Sequence, residues 1–168
     1  EAKSVTVLDD GSAVCEYRYE RAEYTITWDA GVGELTGTDY STGKVKYGQT
    51  ITAPGLNRPG YTGTWKNLID TMPANDVTFT ADYAAQDVFY SVAYRRMDAN
   101  GAYTLMYSQN RTAKAGSIVQ EPCEVSAEYA SQVAEGYIKP LVQTVEIAGD
   151  GSTVIYYDYR LIKSHLGY

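Results

Sequence analysis

The sequence has little of what catalytic and metal-binding proteins require. Its 168 residues include a single histidine, His165, which lies in the tail beyond the last predicted strand. A hydrolase or transferase needs a nucleophile, a base and a partner that orients the base, and this tail residue does not complete such a set. We therefore predict that the chain is not an enzyme and has no catalytic residues, no cofactor and no metal site.

Positive charge and long apolar runs are also scarce. Lysine and arginine number 14 against 21 aspartate and glutamate residues, so the formal net charge is −7. Nucleic-acid binding depends on clustered cationic side chains, which argues against a nucleic-acid partner. No stretch of about 20 apolar residues and no charged leader followed by an apolar segment is present, so these residues contain neither a predicted membrane span nor a predicted signal peptide.

Cysteine is scarce too, since the chain has only Cys15 and Cys123. Two cysteines are too few for a disulfide scaffold. We predict that Cys15 is a reduced, core-facing thiol, because it shares a strand face with Tyr17 and Tyr19. A bridge between Cys15 and Cys123 stays open as an alternative, because a sequence does not give the distance between their Cα atoms.

What the sequence does contain is an internal repeat. Residues 4–21 return as residues 144–161, at a constant offset of 140 residues and with no gap. The identical pairs are Val5/Val145, Asp10/Asp150, Gly11/Gly151, Ser12/Ser152, Val14/Val154, Tyr17/Tyr157 and Tyr19/Tyr159. Reuse of one supersecondary unit is typical of arrays of small modules. We therefore predict that residues 1–22 are the closing hairpin of a truncated upstream repeat.

Alternating apolar residues predict β-strands along most of the chain, for example at Tyr24, Ile26 and Trp28. Turns rich in aspartate and glycine predict hairpins at 4–21, 88–107 and 144–160. In the last of these ranges the two strands are expected to pair with each other.

Two further echoes divide the remainder of the chain. Residues 115–122 (AGSIVQEP) resemble 47–54 (YGQTITAP), and 135–137 (EGY) resemble 59–61 (PGY). Two variants of one structural plan are therefore expected. We predict one module at 23–84, a second at 85–162, a tail at 163–168, and a module boundary near 83–87.

One short helix is predicted in the C-terminal module. Val125, Tyr129 and Val133 fall four residues apart, Ser126 is placed to cap the start, and Gly136 is placed to end the helix. This spacing predicts a helix of about 10 residues. The predicted fold class is α+β and predominantly β, with tandem small β-grasp-like modules.

Four stretches of the chain resemble the Listeria-Bacteroides repeat, the internalin-type B repeat of bacterial surface proteins. They are YTITWDAG (24–31), VKYGQTITAP (45–54), RPGYTGTW (58–65) and TMPANDVTFTADY (71–83). Residues 86–162 resemble the mucin-binding-protein-type repeats, most closely at GYIKPLVQTVEIAGDGSTVIYYDYR (136–160). The insert CEVSAEYASQVA (123–134) departs from that pattern.

The resemblance implies β-grasp-like modules in an extracellular protein that is cell-wall-attached or secreted in a bacterium. It implies a non-catalytic stalk or spacer, with adhesion as a further role. The expected partners are neighbouring repeats of the same polypeptide and a host glycan, mucin or protein. The alternatives are a carbohydrate- or host-protein-binding module and an accessory region of a secreted enzyme. The resemblance specifies no ligand-binding residues.

Other features have simpler explanations than ligand binding. Turns at 9–11, 98–101 and 149–151 lack the ligand count of a dedicated calcium loop, so their aspartates are expected to serve turn geometry. The glycosylation sequon at 110–112 is expected to be a polar loop. Most tyrosines alternate in strands and are expected to face cores rather than sugars. No local spacing predicts a Lys-Asn isopeptide crosslink.

The segment 4–21 presents one apolar face without a sheet of its own. An isolated hairpin is marginally stable in water. We expect it to pack on the module that starts at Tyr24 through Cys15, Tyr17 and Tyr19, or else to pair with a second chain.

Overall fold

The computed structural model describes residues 2–162, and it is predominantly β. The middle module contains six strands, which are β1 (Glu23–Asp29), β2 (Glu34–Thr36), β3 (Gly43–Lys46), β4 (Gly55–Asn57), β5 (Tyr61–Trp65) and β6 (Val77–Ala85). Four of them form a sheet in the order β3-β1-β6-β5, and β2 pairs with β4 in a small second sheet. Strands β1 and β6 are parallel, whereas the other pairs are antiparallel.

The C-terminal module also contains six strands. They are β7 (Asp87–Met97), β8 (Tyr103–Lys114), β9 (Ile118–Gln120), β10 (Tyr137–Ile138), β11 (Thr144–Glu146) and β12 (Val154–Leu161). The main sheet has the order β10-β12-β7-β8, and β9 pairs with β11. The first and last strands, β7 and β12, are again parallel neighbours. The predicted hairpin at 88–107 is confirmed by the antiparallel pairing of β7 with β8.

The two modules share one sheet plan. In each, the first and last strands form the central pair. An antiparallel strand flanks the first, β3 in the middle module and β8 in the C-terminal module, and the strand that begins at the tyrosine of a Gly-Tyr step, β5 or β10, flanks the last. Equivalent loop contacts support this. Gly48 N donates to Met72 O at 2.8 Å, and Gly116 N donates to Ile147 O at 2.8 Å. Met72 and Ile147 are both fully buried, so the weak echoes between 47–54 and 115–122 mark equivalent positions.

Each module has its own core. The buried residues of the middle module are Ile26, Val45, Ile51, Met72 and Phe79, with Tyr24, Trp28, Trp65 and Val77 packed around them. The buried residues of the C-terminal module are Tyr90, Val92, Tyr94, Cys123, Ile147, Ile155, Tyr157 and Tyr159. Tryptophan and phenylalanine therefore pack the first core, whereas tyrosine packs the second.

A single residue, Gln86, separates the last strand of the middle module from the first strand of the C-terminal module. Its N–H donates to Gly60 O at 2.8 Å, and its carbonyl accepts from Ala115 N at 2.9 Å. The backbone at Gly149 packs so tightly against Pro59 that a Cβ there would overlap the Pro59 carbonyl oxygen. The junction is therefore held by both neighbouring modules rather than by the covalent link alone.

The predicted hairpin at 4–21 does not form as a pair of strands. Its arms fold back around a turn in which Gly11 N donates to Leu8 O at 3.1 Å, but no strand forms within 2–22. Cys15 is exposed, and Tyr19 is 92% exposed. The predictions of a core-facing Cys15 and of packing on the module at Tyr24 are therefore wrong, because these residues pair with no strand of the described part of the chain and their apolar side chains stay exposed.

The predicted hairpin at 144–160 is also wrong, although its turn is present. Strand β11 pairs with β9 in the small sheet, and β12 pairs with β7 and β10 in the main sheet. The turn thus joins two sheets instead of two strands of one ladder. Alternation predicted the strands but not their partners, since pairing is decided by distant residues.

The predicted helix of the C-terminal module is reduced to one turn. A turn at 127–129 leads into a 3₁₀ helix at Ala130–Val133, without a side-chain cap from Ser126. Val125 and Val133 nevertheless pack against the core, so the apolar spacing reflects burial of a loop. Among residues 2–162 no helix is long and apolar enough to cross a membrane. The predicted tail at 163–168, including His165, lies outside the described residues.

Candidate functional site

The tyrosine residues of the C-terminal module hold its longest loop. Three hydroxyls from β7 and β12 donate to successive carbonyl oxygens, each at 2.7 Å: Tyr157 to Glu121, Tyr94 to Pro122 and Tyr159 to Cys123. The loop backbone therefore satisfies its polar groups against side chains of the sheet. A buried carbonyl without such a donor would cost stability.

Tyrosine hydroxyls of this module also accept hydrogen bonds from backbone N–H groups of its loops. Tyr159 Oη accepts from Val125 N at 3.2 Å, and Tyr157 Oη accepts from Gln143 N at 3.2 Å. Tyr107 Oη accepts from Ser126 N at 2.7 Å. This accounts for the use of tyrosine where phenylalanine would supply the same apolar ring. These hydroxyls are engaged inside the protein, so this cluster is not a sugar-binding surface.

Glu121 joins the rim of this cluster. Its side chain is largely buried, accepts a hydrogen bond from the Tyr90 hydroxyl and lies 3.8 Å from the Arg111 guanidinium. Burial, followed by the hydrogen bond and charge of Glu121, raises the pKa of Tyr90 to about 12. Burial is also the main reason that the pKa of Tyr94 rises to about 12. Both hydroxyls therefore remain protonated well above the usual tyrosine range.

Alkaline pH is expected to destabilise this module. Because the folded-state pKa values of Tyr90 and Tyr94 lie near 12 and the ordinary value is 10, their stabilising effect is complete below pH 10. It is lost as the pH rises towards about 12, since the unfolded chain releases these protons first. Urea denaturation followed by tyrosine circular dichroism between pH 8 and 11.5 will measure the loss.

The matched control is Tyr90→Phe, which removes one of the two late-titrating hydroxyls. Its unfolding free energy should fall less steeply above pH 10 than that of the unmodified chain. If the unfolding free energy falls equally steeply with pH in the two proteins, the Tyr90 hydroxyl does not contribute to the loss of stability.

The opposite face of the C-terminal sheet carries several exposed apolar side chains. It carries Phe89, which is 70% exposed, together with exposed side chains of Leu105, Val154 and Tyr156. A β-bulge follows the pairing of Tyr94 with Tyr107 and shifts the register by one residue. The shift moves Leu105 off the core face, since one extra residue reverses the side-chain alternation. We call this set, with the Arg95–Asp158 pair, the outer face.

An ion pair crosses the outer face. Arg95 Nε donates to Asp158 Oδ1 at 2.7 Å, and Arg95 Nη2 donates to Asp158 Oδ2 at 2.8 Å. The guanidinium also lies 4.2 Å from the centre of the Tyr156 ring. The hydrogen bonds that Arg95 donates to the Asp158 carboxylate raise the pKa of Arg95. Because the two residues are direct partners in the parallel pairing of β7 and β12, this bidentate pair also ties the first strand to the last.

A shallow cleft of about 480 Å³ lies beside the outer face. It is lined by Met97, Gly101, Ile138, Arg160, Leu161 and Ile162. Arg160 supplies its only charged side chain among the described residues. No nucleophile stands beside a base there, so the cleft offers a shape for binding without a catalytic arrangement.

The aspartates of the turns at 9–11 and 149–151 accept hydrogen bonds from their own turns. Asp10 Oδ1 accepts from Ser12 N at 3.0 Å and from Ser12 Oγ at 2.6 Å, and Asp150 makes the same two bonds to Ser152 at the same distances. These bonds lower the pKa of both carboxyl groups. The described part of the chain holds no group of three or more acidic, histidine or cysteine side chains that would bind a metal ion.

The structure also locates the glycosylation sequon, the two cysteines and the lysines. The sequon at 110–112 lies within β8 rather than in a loop, and Asn110 Oδ1 accepts from Ser91 Oγ at 3.0 Å. Cys15 and Cys123 form no disulfide, and Cys123 is buried. No lysine is buried among residues 2–162. An isopeptide crosslink needs a buried lysine amine, and these residues supply none.

A scan of the sequence against models of protein families finds no match, and a search of curated proteins finds no similar sequence.

Proposed function

We propose that this chain is a non-catalytic repeat segment of a bacterial cell-surface or secreted protein, in which β-grasp-like modules act as a stalk or spacer. The observation that carries the proposal is the junction at Gln86. Its N–H and carbonyl are each bonded to a different module. A spacer has to fix the orientation of one module relative to the next. A one-residue linker that is hydrogen-bonded to both modules supports such a role.

The sheet plan supports the β-grasp part of the proposal. Parallel first and last strands at the centre, flanked by antiparallel neighbours, occur in both modules. In the C-terminal module the loop between β9 and β10, with its 3₁₀ turn, packs on the face where a longer helix was expected. The sequence resemblance to bacterial surface repeats supports a location outside the cell.

The junction provides a direct test through Gly149→Ala. Gly149 has an ordinary φ, so alanine does not strain the backbone there, but its Cβ would overlap the Pro59 carbonyl oxygen. We expect the two modules to remain folded and to lose their fixed orientation. Nitrogen-15 relaxation should give a single tumbling time for the unmodified chain and shorter, separate times for the two modules of the variant.

The matched control is Gly101→Ala. Gly101 has a φ of +87° and nothing within 4 Å of its Cβ position, so this variant strains a turn without touching the junction. It should keep the common tumbling time. Independent tumbling of the modules in the unmodified chain would contradict a rigid spacer.

The outer face favours a second function, a carbohydrate- or host-protein-binding module. Exposed apolar patches bordered by polar residues are typical of interaction surfaces, and Phe89 and Tyr156 lie in such a patch. Binding to a glycan or host protein that Phe89→Ser abolishes would favour this function over a spacer alone.

A further inference from the structure

The main sheet of the C-terminal module has one long edge strand. Strand β8 contains 12 residues, about twice the length of an average strand, and only β7 pairs with it. Within residues 2–162, the backbone of 103–113 makes no backbone hydrogen bond except to β7. One side of β8 therefore presents unpaired N–H and C=O groups along its length.

The other edges of the two main sheets are protected against pairing with another chain. Strand β3 has four residues, of which two are Lys44 and Lys46. Strand β5 has five residues with Gly63 at its centre, and β10 has two residues and is soon followed by Pro140. Short length, lysine, glycine and proline all limit the pairing of an edge strand.

Strand β8 lacks most of these protections. It contains no proline, and both of its cations already have partners. Lys114 Nζ lies 3.1 Å from Asp87 Oδ1, and Arg111 Nε lies 3.8 Å from Glu121 Oε2. A neighbouring strand would therefore meet no uncompensated charge. The one irregularity of β8 is the bulge at Met106, which has no partner in β7.

This bulge determines how two copies of β8 can align. Before it, residues 103 and 105 lie on the side of the outer face, and after it residues 108, 110, 112 and 114 do, because the extra residue reverses the alternation. Two antiparallel copies centred on Gln109 match these faces along the whole strand. The outer pairs are then 103/114, 105/112 and 108/110, and the core-side pairs are 104/113, 107/111 and 109/109. A shift by one residue opposes the two faces, and larger shifts shorten the ladder.

Charge also favours the antiparallel alignment. Both cations of β8 lie in its C-terminal half, and the strand has no acidic residue. Parallel copies would place Arg111 beside Arg111 and Lys114 beside Lys114, and like charges directly opposite are destabilising. Antiparallel copies place Lys114 beside Tyr103 and Arg111 beside Tyr107 of the second copy, where a cation next to an aromatic ring is favourable.

We propose that β8 is a self-association edge, at which a second copy of this chain pairs its own β8 in antiparallel orientation with Gln109 on the two-fold axis. Each main sheet contributes four strands, so the two sheets become one continuous sheet. A ladder of this length supplies about ten backbone hydrogen bonds, as many as a typical interface carries. Because the contact uses the same surface on both copies, the assembly closes as a dimer.

The oligomeric state of the full chain tests the proposal. Sedimentation velocity should show a monomer–dimer equilibrium, and amide hydrogen exchange at 103–114 should slow as the concentration rises. Gln109→Lys brings two ammonium groups together at the axis and should raise the dissociation constant about fivefold or more. The matched control is Thr78→Lys, which adds the same charge at an exposed position of the inner strand β6. It should leave the dissociation constant unchanged.

Two further experiments establish the alignment. Gln109→Lys and Gln109→Glu chains should each dimerise poorly, whereas an equimolar mixture should form a heterodimer, because opposite charges then meet at the axis. In a Cys15→Ser background, in which the remaining Cys123 is buried, oxidised glutathione should link Gln109→Cys chains through an intermolecular disulfide. It should leave Thr112→Cys chains unlinked, since position 112 faces position 105 of the second copy.

Several results would overturn the proposal. They are a monomer at every concentration, equal dissociation constants for Gln109→Lys and Thr78→Lys, and equal crosslinking at 109 and 112, which would indicate parallel strands. Each leaves the spacer function standing, because that function is tested separately at Gly149.

Discussion

Alanine at position 157 is expected to lower the free energy of unfolding of the C-terminal module by about 3 to 5 kcal/mol, the usual cost of truncating a buried aromatic residue. Tyr157 has no exposed surface, and its ring lies 5.7 Å from that of Tyr94. Removing it leaves a cavity and also leaves Glu121 O without its donor. Urea denaturation followed by tyrosine circular dichroism will measure the change.

Phenylalanine at the same position distinguishes the contribution of the hydroxyl to stability from that of the ring. Tyr157→Phe should cost about 1 to 3 kcal/mol, because a buried carbonyl and a buried N–H lose their partner. The matched control is Tyr156→Phe, one residue along the same strand, where the ring is 45% exposed. That variant should change stability by less than about 0.5 kcal/mol. Equal effects at 156 and 157 would contradict a structural role for the hydroxyl.

Alanine at Met72 and at Ile147 should each unfold one module and spare the other. Both side chains are about 1% exposed and occupy equivalent places in the two modules. Each change should cost about 2 to 5 kcal/mol. Both tryptophans, Trp28 and Trp65, belong to the middle module, so tryptophan fluorescence reports on that module alone.

Met72→Ala should therefore shift the fluorescence transition to lower urea, and Ile147→Ala should shift only the tyrosine circular dichroism. Conservative Met72→Leu, which keeps the volume, serves as the control and should stay within about 1.5 kcal/mol of the unmodified chain. A shift of the tryptophan fluorescence by Ile147→Ala would mean that the modules unfold as one unit.

Local features of this fold could be predicted from the sequence, whereas long-range pairing could not. The turns at Gly11 and Gly151 depend on a glycine with positive φ and a nearby Asp-Ser pair, all within four residues. The partner of β12 is β7, about 60 residues earlier in the chain. No pattern within residues 144–161 distinguishes pairing with a neighbour from pairing with so distant a strand.

The outer face was missed for a related reason. Phe89 and Tyr156 stand at positions opposite in alternation to the core tyrosines, and this signal was present in the sequence. Whether the second face of a sheet is covered depends on what packs there, which alternation does not reveal. The Arg95–Asp158 pair depends on the register of two distant strands. The predicted helix failed because apolar spacing at 125, 129 and 133 equally fits a loop pinned by tyrosines.

The parallel arrangement of first and last strands determines how these modules respond to force. A pull on both ends of a module draws β1 against β6, or β7 against β12, along the strand direction. All the backbone hydrogen bonds between the two strands are then loaded together in shear, rather than broken one after another. The register joins four residue pairs in the middle module and six in the C-terminal module. Under tension we therefore expect the middle module to yield first and the C-terminal module to be the stronger mechanical element.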